Sequence, residues 1–312
     1  MANNSVSQVV RERWYSSLFR FLKRLVKEKP LGTVGFAITL ILLLVGIFAN
    51  FLAPYGMNQS SAQMFAPPSL THWFGTDNLG RDILSRVIYG ARISVIVGLA
   101  ASAIAVTMST IIGMISGYIG GLLDLILQRF VDAWMCIPAL IFSIVIISII
   151  GTGMWQVTIV IGINLGIANS RIIRGATMSI KENMYLQASD AIGASPARII
   201  MRHILPNIMA YVIILFSTAM PTAILVEASL SFLGYGIPPP AASWGGMVSG
   251  SGRTYMFMDP WIIVWPGLAL TIVVYGVNMF GDALRDLLDP RLKGVGGRYG
   301  MKVKKKLSHK QF

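Results

Sequence analysis

Residues 181–207, KENMYLQASDAIGASPARIIMRHILPN, carry Lys181, Glu182, Asp190, Arg198 and Arg202 between uncharged runs long enough to cross a membrane. Good helix formers over 182–192, with Tyr185, Ala188 and Ile192 at helical spacing, predict an amphipathic helix with one apolar face. Gly193 is placed to end it in a left-handed conformation, where a side chain is costly. Ser195 then reads as an N-cap whose hydroxyl accepts from an unpaired backbone N–H, and Pro196 as the first helical residue, where no N–H is needed. The second helix is expected to run to about His203 and to stop at Pro206. An ordered loop of this length between spans suits a groove on a soluble partner better than it suits a plain connector.

Outward from this loop the chain is apolar. Of 312 residues 54% are hydrophobic and only 12% charged, with a mean hydropathy of +0.67. A soluble domain carries about 25% charged residues, so composition alone predicts an all-α integral membrane protein. The net charge of +13 raises nucleic acid as a partner, but the placement of the charges excludes it. Residues 1–30 form a basic segment in which Trp14, Leu18, Phe21, Leu22 and Leu25 recur at helical spacing, as in a helix lying among lipid headgroups. Residues 31–51 hold no charge, enough to span a hydrocarbon core of about 30 Å. Residues 53–91 form a turn-rich polar loop, and 93–119 are again uncharged.

Residues 120–132 read as a short charged turn. The 38 residues from 133 to 170 hold no charge, too many for one span, and Gly151-Thr152-Gly153 divides them into a hairpin of two. Residues 208–226 and 261–280 complete six spans, with a loop over 227–259. Counting Lys and Arg puts 22 of 26 on the side of both termini and the 171–206 loop, which the positive-inside rule assigns to the cytoplasm. The basic ends then face anionic lipid.

Candidate chemistry is sparse. No G-x-x-x-x-G-K-[ST] and no H-E-x-x-H occurs, the three histidines lie far apart, and the single Cys136 excludes an internal disulfide. A catalytic role is therefore not expected. Pro138, Pro221 and Pro266 are candidate hinges, each able to free a carbonyl and kink its helix or line a pathway. Glu227 is the acidic group nearest a span and is expected near the outer surface. The small residues Gly98, Ala101, Ala105, Ser109, Gly113 and Ser116 predict close helix packing.

Gln187-Ala188-Ser189, then Gly193, then Leu205-Pro206 resembles the EAA loop of bacterial ABC-transporter permeases, with Gln187 in place of the usual acidic residue and His203 in place of an aliphatic one. HWFGTDNLGRDILSRVIYGAR, EASLSFLGYGIPPPAASWGGM and NMFGDALRDLLDPRL are similar to further segments of the dipeptide/oligopeptide/nickel importer permeases, C-type subunit. The resemblance implies a type I importer permease fold. Its core would be 92–290, after a first span and extracytoplasmic loop over 31–91 and before a basic tail at 291–312. It implies a multi-pass protein of the bacterial cytoplasmic membrane carrying peptides, with nickel chelates or haem as alternative cargo. It also implies a second related permease, two ATPase subunits holding ATP and Mg, and an extracytoplasmic substrate-binding protein. Tyr185, Gln187, Ala188, Ser189, Ile192, Gly193, Ala194, Arg198, Leu205 and Pro206 would form the ATPase dock. The alternative of another class is an ion-coupled carrier or channel without an ATPase.

Overall fold

A computed structural model describes residues 14–60 and 63–288. The first residues of the basic segment and the basic tail at 291–312 lie outside the described residues. Within the segment, α1 (Trp14–Glu28) is helical as its spacing predicts. An exposed Arg24–Glu28 pair one turn apart, 3.1 Å long, holds the Glu28 carboxyl below its usual range. Pro30 opens α2 (Pro30–Ile47), the first span, which is followed by the single turn α3 (Ala49–Leu52).

The next helix, α4 (Ile83–Ile119), begins well before the uncharged run at 93. Asp82 starts it: its Oδ2 accepts from the Ser85 N–H at 2.7 Å and the Ser85 hydroxyl at 2.6 Å. Its other oxygen accepts from His72 Nδ1 at 2.9 Å, and the His72 ring stacks on Tyr55. The arginines inside α4 donate to neutral acceptors on neighbouring chain. Arg86 donates to Met57 O and Asn58 Oδ1, and Arg92 to Gly46 O and Asn50 Oδ1.

Residues 120–132 are not a turn. Gly120 and Gly121, both with positive φ, make the reversal alone, and α5 (Gly121–Met135) follows as a helix. Its acidic groups belong to a stripe facing α7 (Met154–Lys181). Asp124 receives Nε and Nη2 of Arg174 at 2.6 Å each, and Asp132 pairs with Arg171. α6 (Ala139–Ile150) has only 12 residues, about 18 Å, and meets α5 at 87°. The third expected span is thus a bent pair, beside five helices that are each long and apolar enough to cross a membrane. Pro138 occupies the N-cap of α6 and separates two helices rather than kinking one.

Past α7 come α8 (Met184–Ala191) and α9 (Pro196–Ile199). Pro206 does not stop the second helix. A π-helical turn at Ile200–Ile204 joins α9 to α10 (Leu205–Phe232), with the Leu205 N–H donating to Ile200 O. Pro206 therefore sits in the first turn of α10, where its missing N–H leaves no gap in the ladder. α10 also runs past the expected boundary at 226. The loop predicted over 227–259 instead holds α11 (Trp244–Met247), a π turn and α12 (Arg253–Tyr255) before α13 (Trp261–Leu288).

α10 lies at the centre, packed against α4, α7 and α13, while α2 packs on α13 and α4 on α7. The α4–α7 seam follows the small residues. A Cβ at Gly113 would stand 2.6 Å from Ser170 O, and one at Gly166 2.8 Å from Met108 Cβ. The bundle thus has a terminal end (α1, α8, α9 and the close of α13) and a far end (the 53–82 loop, the α6–α7 turn and α11). Overfilling a packed interface costs about 1–3 kcal/mol, so Gly113→Val should lower the thermal midpoint of the detergent-solubilised protein. Gly175→Ala, on α7 with nothing within 4 Å, should leave it unchanged.

Candidate functional site

At the terminal end the loop after α7 folds back under the bundle. Lys181 fixes its start by donating to Tyr118 O at 2.7 Å, while Asn183 Nδ2 donates to Ile180 O at 2.9 Å. α8 then ends as the sequence predicts. Gly193 has φ +78°, and the Ala194 N–H reaches back to Ser189 O at 3.1 Å, the bond that closes a helix over a left-handed residue. Ser195 has the extended backbone of an N-cap, but its side chain makes no capping bond. Pro196 alone supplies the start signal.

The apolar residues of α8 divide in a way that periodicity missed. Leu186 is the anchor: it is 4% exposed and packs among Met114, Ile173, Ala176, Ile199, Ile204 and Ile208. Helices α4, α7 and α10 and the π turn all contribute to that cluster. Tyr185, Ala188 and Ile192 point away from it, Ile192 being 85% exposed, as is Met184. Tyr185 is steadied from behind: its hydroxyl accepts from Asn207 Nδ2 at 3.2 Å, and its ring lies 6.4 Å from that of His203.

Gln187, Arg198 and Pro206 are exposed, Ser189, Ala194 and Leu205 half-buried. Beside α8 an open cleft of about 500 Å³ is walled by Tyr118, Lys181, Leu186, Gln187, Pro196 and Ile199. The ten residues expected at a dock lie along the loop from α8 to the start of α10, each exposed or half-buried. Pro138, Pro221, Glu227 and Pro266 do not: they are spread over α6, α10 and α13. Pro221 and Pro266 lie inside α10 and α13 as predicted, and Glu227 stands in the last turns of α10, towards the far end, where it is 1% exposed with its Oε1 accepting from the Ser231 hydroxyl at 2.7 Å.

An anchored helix–glycine–helix thus projects beyond a bundle of long apolar helices. The family described as "Binding-protein-dependent transport system inner membrane component" matches residues 109–294. The chain belongs to this family.

A second family, the N-terminal TM domain of oligopeptide transport permease C, matches residues 17–68 of this permease. The permease is 37% identical over 281 residues to the oligopeptide transport system permease protein OppC of Bacillus subtilis (strain 168), covering 90% of each chain. It is 38% identical to the dipeptide transport system permease protein DppC of Alkalihalophilus pseudofirmus, covering 86% of this chain and 88% of that one. With the glutathione transport system permease protein GsiD of Escherichia coli O6:K15:H31 it shares 36% identity, covering 91% and 93%. Among solved structures, the MetNI methionine ABC transporter in inward-facing conformations matches at a TM-score of 0.54 and 16% identity, covering 66% of this chain and 98% of that chain. The fold of the permease is thus that of a type I importer.

Truncating a core leucine to alanine costs about 2–5 kcal/mol where the site cannot collapse. Leu186→Ala should therefore raise amide hydrogen exchange across α8 while α4 and α7 keep their protection. Unchanged exchange in α8 would show that Leu186 is not its anchor.

Proposed function

We propose that the chain forms half of the pathway of an ATP-driven importer of short peptides. In this reading a second related permease completes the pore, and two ATPase subunits, which hold the ATP and Mg, dock beneath α8 and α9. A binding protein delivers substrate at the far end. The terminal end is then cytoplasmic and the far end extracytoplasmic, in keeping with the Lys and Arg bias. The chain itself performs no catalysis. Peptide is favoured over nickel chelate or haem by the relatives named for oligopeptide and dipeptide transport.

The observation that carries this reading is the two-sidedness of α8. One residue, Leu186, is fixed in a cluster built by the ends of three long helices, while Met184, Tyr185, Ala188 and Ile192 face outward. An exposed apolar face on a short helix is satisfied by a groove on a partner. A push on that face is delivered through Leu186 to α4, α7 and α10 together. For ATP to do work, the dock must differ in free energy between the inward- and outward-facing states. A carrier driven by ions has no use for such a lever.

The test is the glycine. Gly193 has φ +78° and open space around it, so a substitution acts through backbone strain, about 1–2 kcal/mol for a residue with a Cβ in the left-handed region. Gly193→Val should insert, assemble with the ATPases and retain their hydrolysis, yet lose uptake by about tenfold or more, in line with that strain. Gly193→Asn, which tolerates the conformation, should lose far less. Undiminished uptake in the valine variant would refute the coupling role.

A further inference from the structure

A second cleft, of about 300 Å³, opens at the far end of the bundle. Three charged side chains stand in its wall, Asp77, Arg81 and Arg86, and their charges do not cancel. Asp77 Oδ2 accepts from Arg81 Nε at 2.7 Å and lies 3.6 Å from Arg86 Nε. Asp77 Oδ1 is already taken by the backbone N–H groups of Leu79 and Arg81. Arg86 Nη1 donates to two neutral acceptors, Met57 O and Asn58 Oδ1. Glu227, a turn below the cleft, is bonded to the Ser231 hydroxyl rather than to either arginine.

Two guanidinium groups therefore share one carboxylate, with side chains only 12% and 7% exposed. A largely buried cation in excess of its counter-ions is costly, and a guanidinium fork fits a second carboxylate from solution in shape and charge. The rest of the wall is uncharged: Gly234, Gly236, Pro238 and Pro239 supply main chain and ring, and Ile237, Met247 and Ile262 supply apolar side chains. Beyond Asp77 and the two arginines, such a wall offers no charge with which to select among the side chains of an occupant. The volume lies at the lower end of ligand sites, about 300–1,000 Å³, and suits the end of a short peptide. What all unmodified peptides share is a terminal carboxylate.

We propose that this cleft receives the C-terminal carboxylate of an incoming peptide through Arg81 and Arg86, with Asp77 holding the two guanidinium groups in place. The proposal rests on the peptide reading above. It adds a point of substrate recognition to the permease itself, one that is independent of peptide side chains.

The experiment compares uptake, by the assembled transporter, of a dipeptide and of the same dipeptide amidated at its C-terminus. Wild type should prefer the free acid. In Arg81→Gln and Arg86→Gln that preference should fall by about tenfold, the scale of one charge-assisted bidentate contact, while uptake of the amide holds. The binding protein is common to all variants, so its own preference cancels from the comparison. An unchanged preference in both variants overturns the cleft and leaves peptide transport standing. A wild type that imports neither compound overturns the peptide reading beneath it. Loss of an arginine also loosens Asp77, so a second measurement keeps both arginines in place. Ser249→Cys, on the cleft wall, is made in a Cys136→Ser background and labelled with a maleimide in the assembled transporter. The free-acid dipeptide should slow labelling and the amide should not; equal rates with both overturn the proposal.

Discussion

The close approach of α4 to α7 is the constraint on which the other contacts rest. In hydrocarbon no hydrophobic force drives helices together, so association depends on packing and on how near the backbones can come. Gly113, Gly162 and Gly166 remove the side chains that would hold these two helices apart. With the pair fixed, α10 has a groove to occupy, and α13 and α2 can close around it. The same contact brings Asp124 and Asp132 of α5 against Arg174 and Arg171 of α7, so these two arginines find their counter-ions within the protein.

That arrangement also explains where the loop at 182–206 acquires its leverage. The cluster around Leu186 is assembled from the terminal ends of α4, α7 and α10. A displacement of α8 cannot be absorbed by one helix alone, because a close-packed interface shifts between discrete arrangements rather than deforming smoothly. The π turn at Ile200–Ile204 makes α9 continuous with α10. The second half of the loop is therefore the first part of the central helix, and movement at the dock enters the bundle directly. At the far end the contacts differ in kind. Trp244, from the segment after α10, donates to Val87 O on α4 at 3.0 Å, and His72, Asp82 and Ser85 tie the long first loop to the head of α4. These polar bonds add to apolar packing at that end, where Ile83, Ala242, Met247 and Ile262 cluster with Phe65 and Tyr255 and the Phe74 ring stacks on Trp265.

Much of this was legible before any coordinates. Five of the expected spans are single helices and the sixth is the bent pair, because long uncharged runs have no other stable form where backbone groups lack water. The Gly193 break was legible because φ +78° is a local demand that only a few residues meet cheaply. The ten candidate residues lie in one short loop because they are close in sequence. Leu186 was missed because the spacing of Tyr185, Ala188 and Ile192 marks a single apolar face, whereas this helix carries a buried apolar residue on its other side. Pro206 was misread as a stop because its cost depends on whether a carbonyl needs its N–H, and the π turn removes that need.

The sequence by itself determined the class of the molecule, the positions of its long helices, the helix–glycine–helix form of the loop and the side of the bundle on which positive charge gathers. Each of these depends on residues within a turn or two of one another, or on composition. Only the tertiary structure decided that residues 121–135 are a helix, that Glu227 is enclosed, that Leu186 faces inward and that Asp77, Arg81 and Arg86 line one cleft with residues of the distant 231–262 segment. The reason is that a charge or an apolar side chain is read locally as facing water or core. Its partner, supplied by a distant helix, is what makes the opposite placement stable.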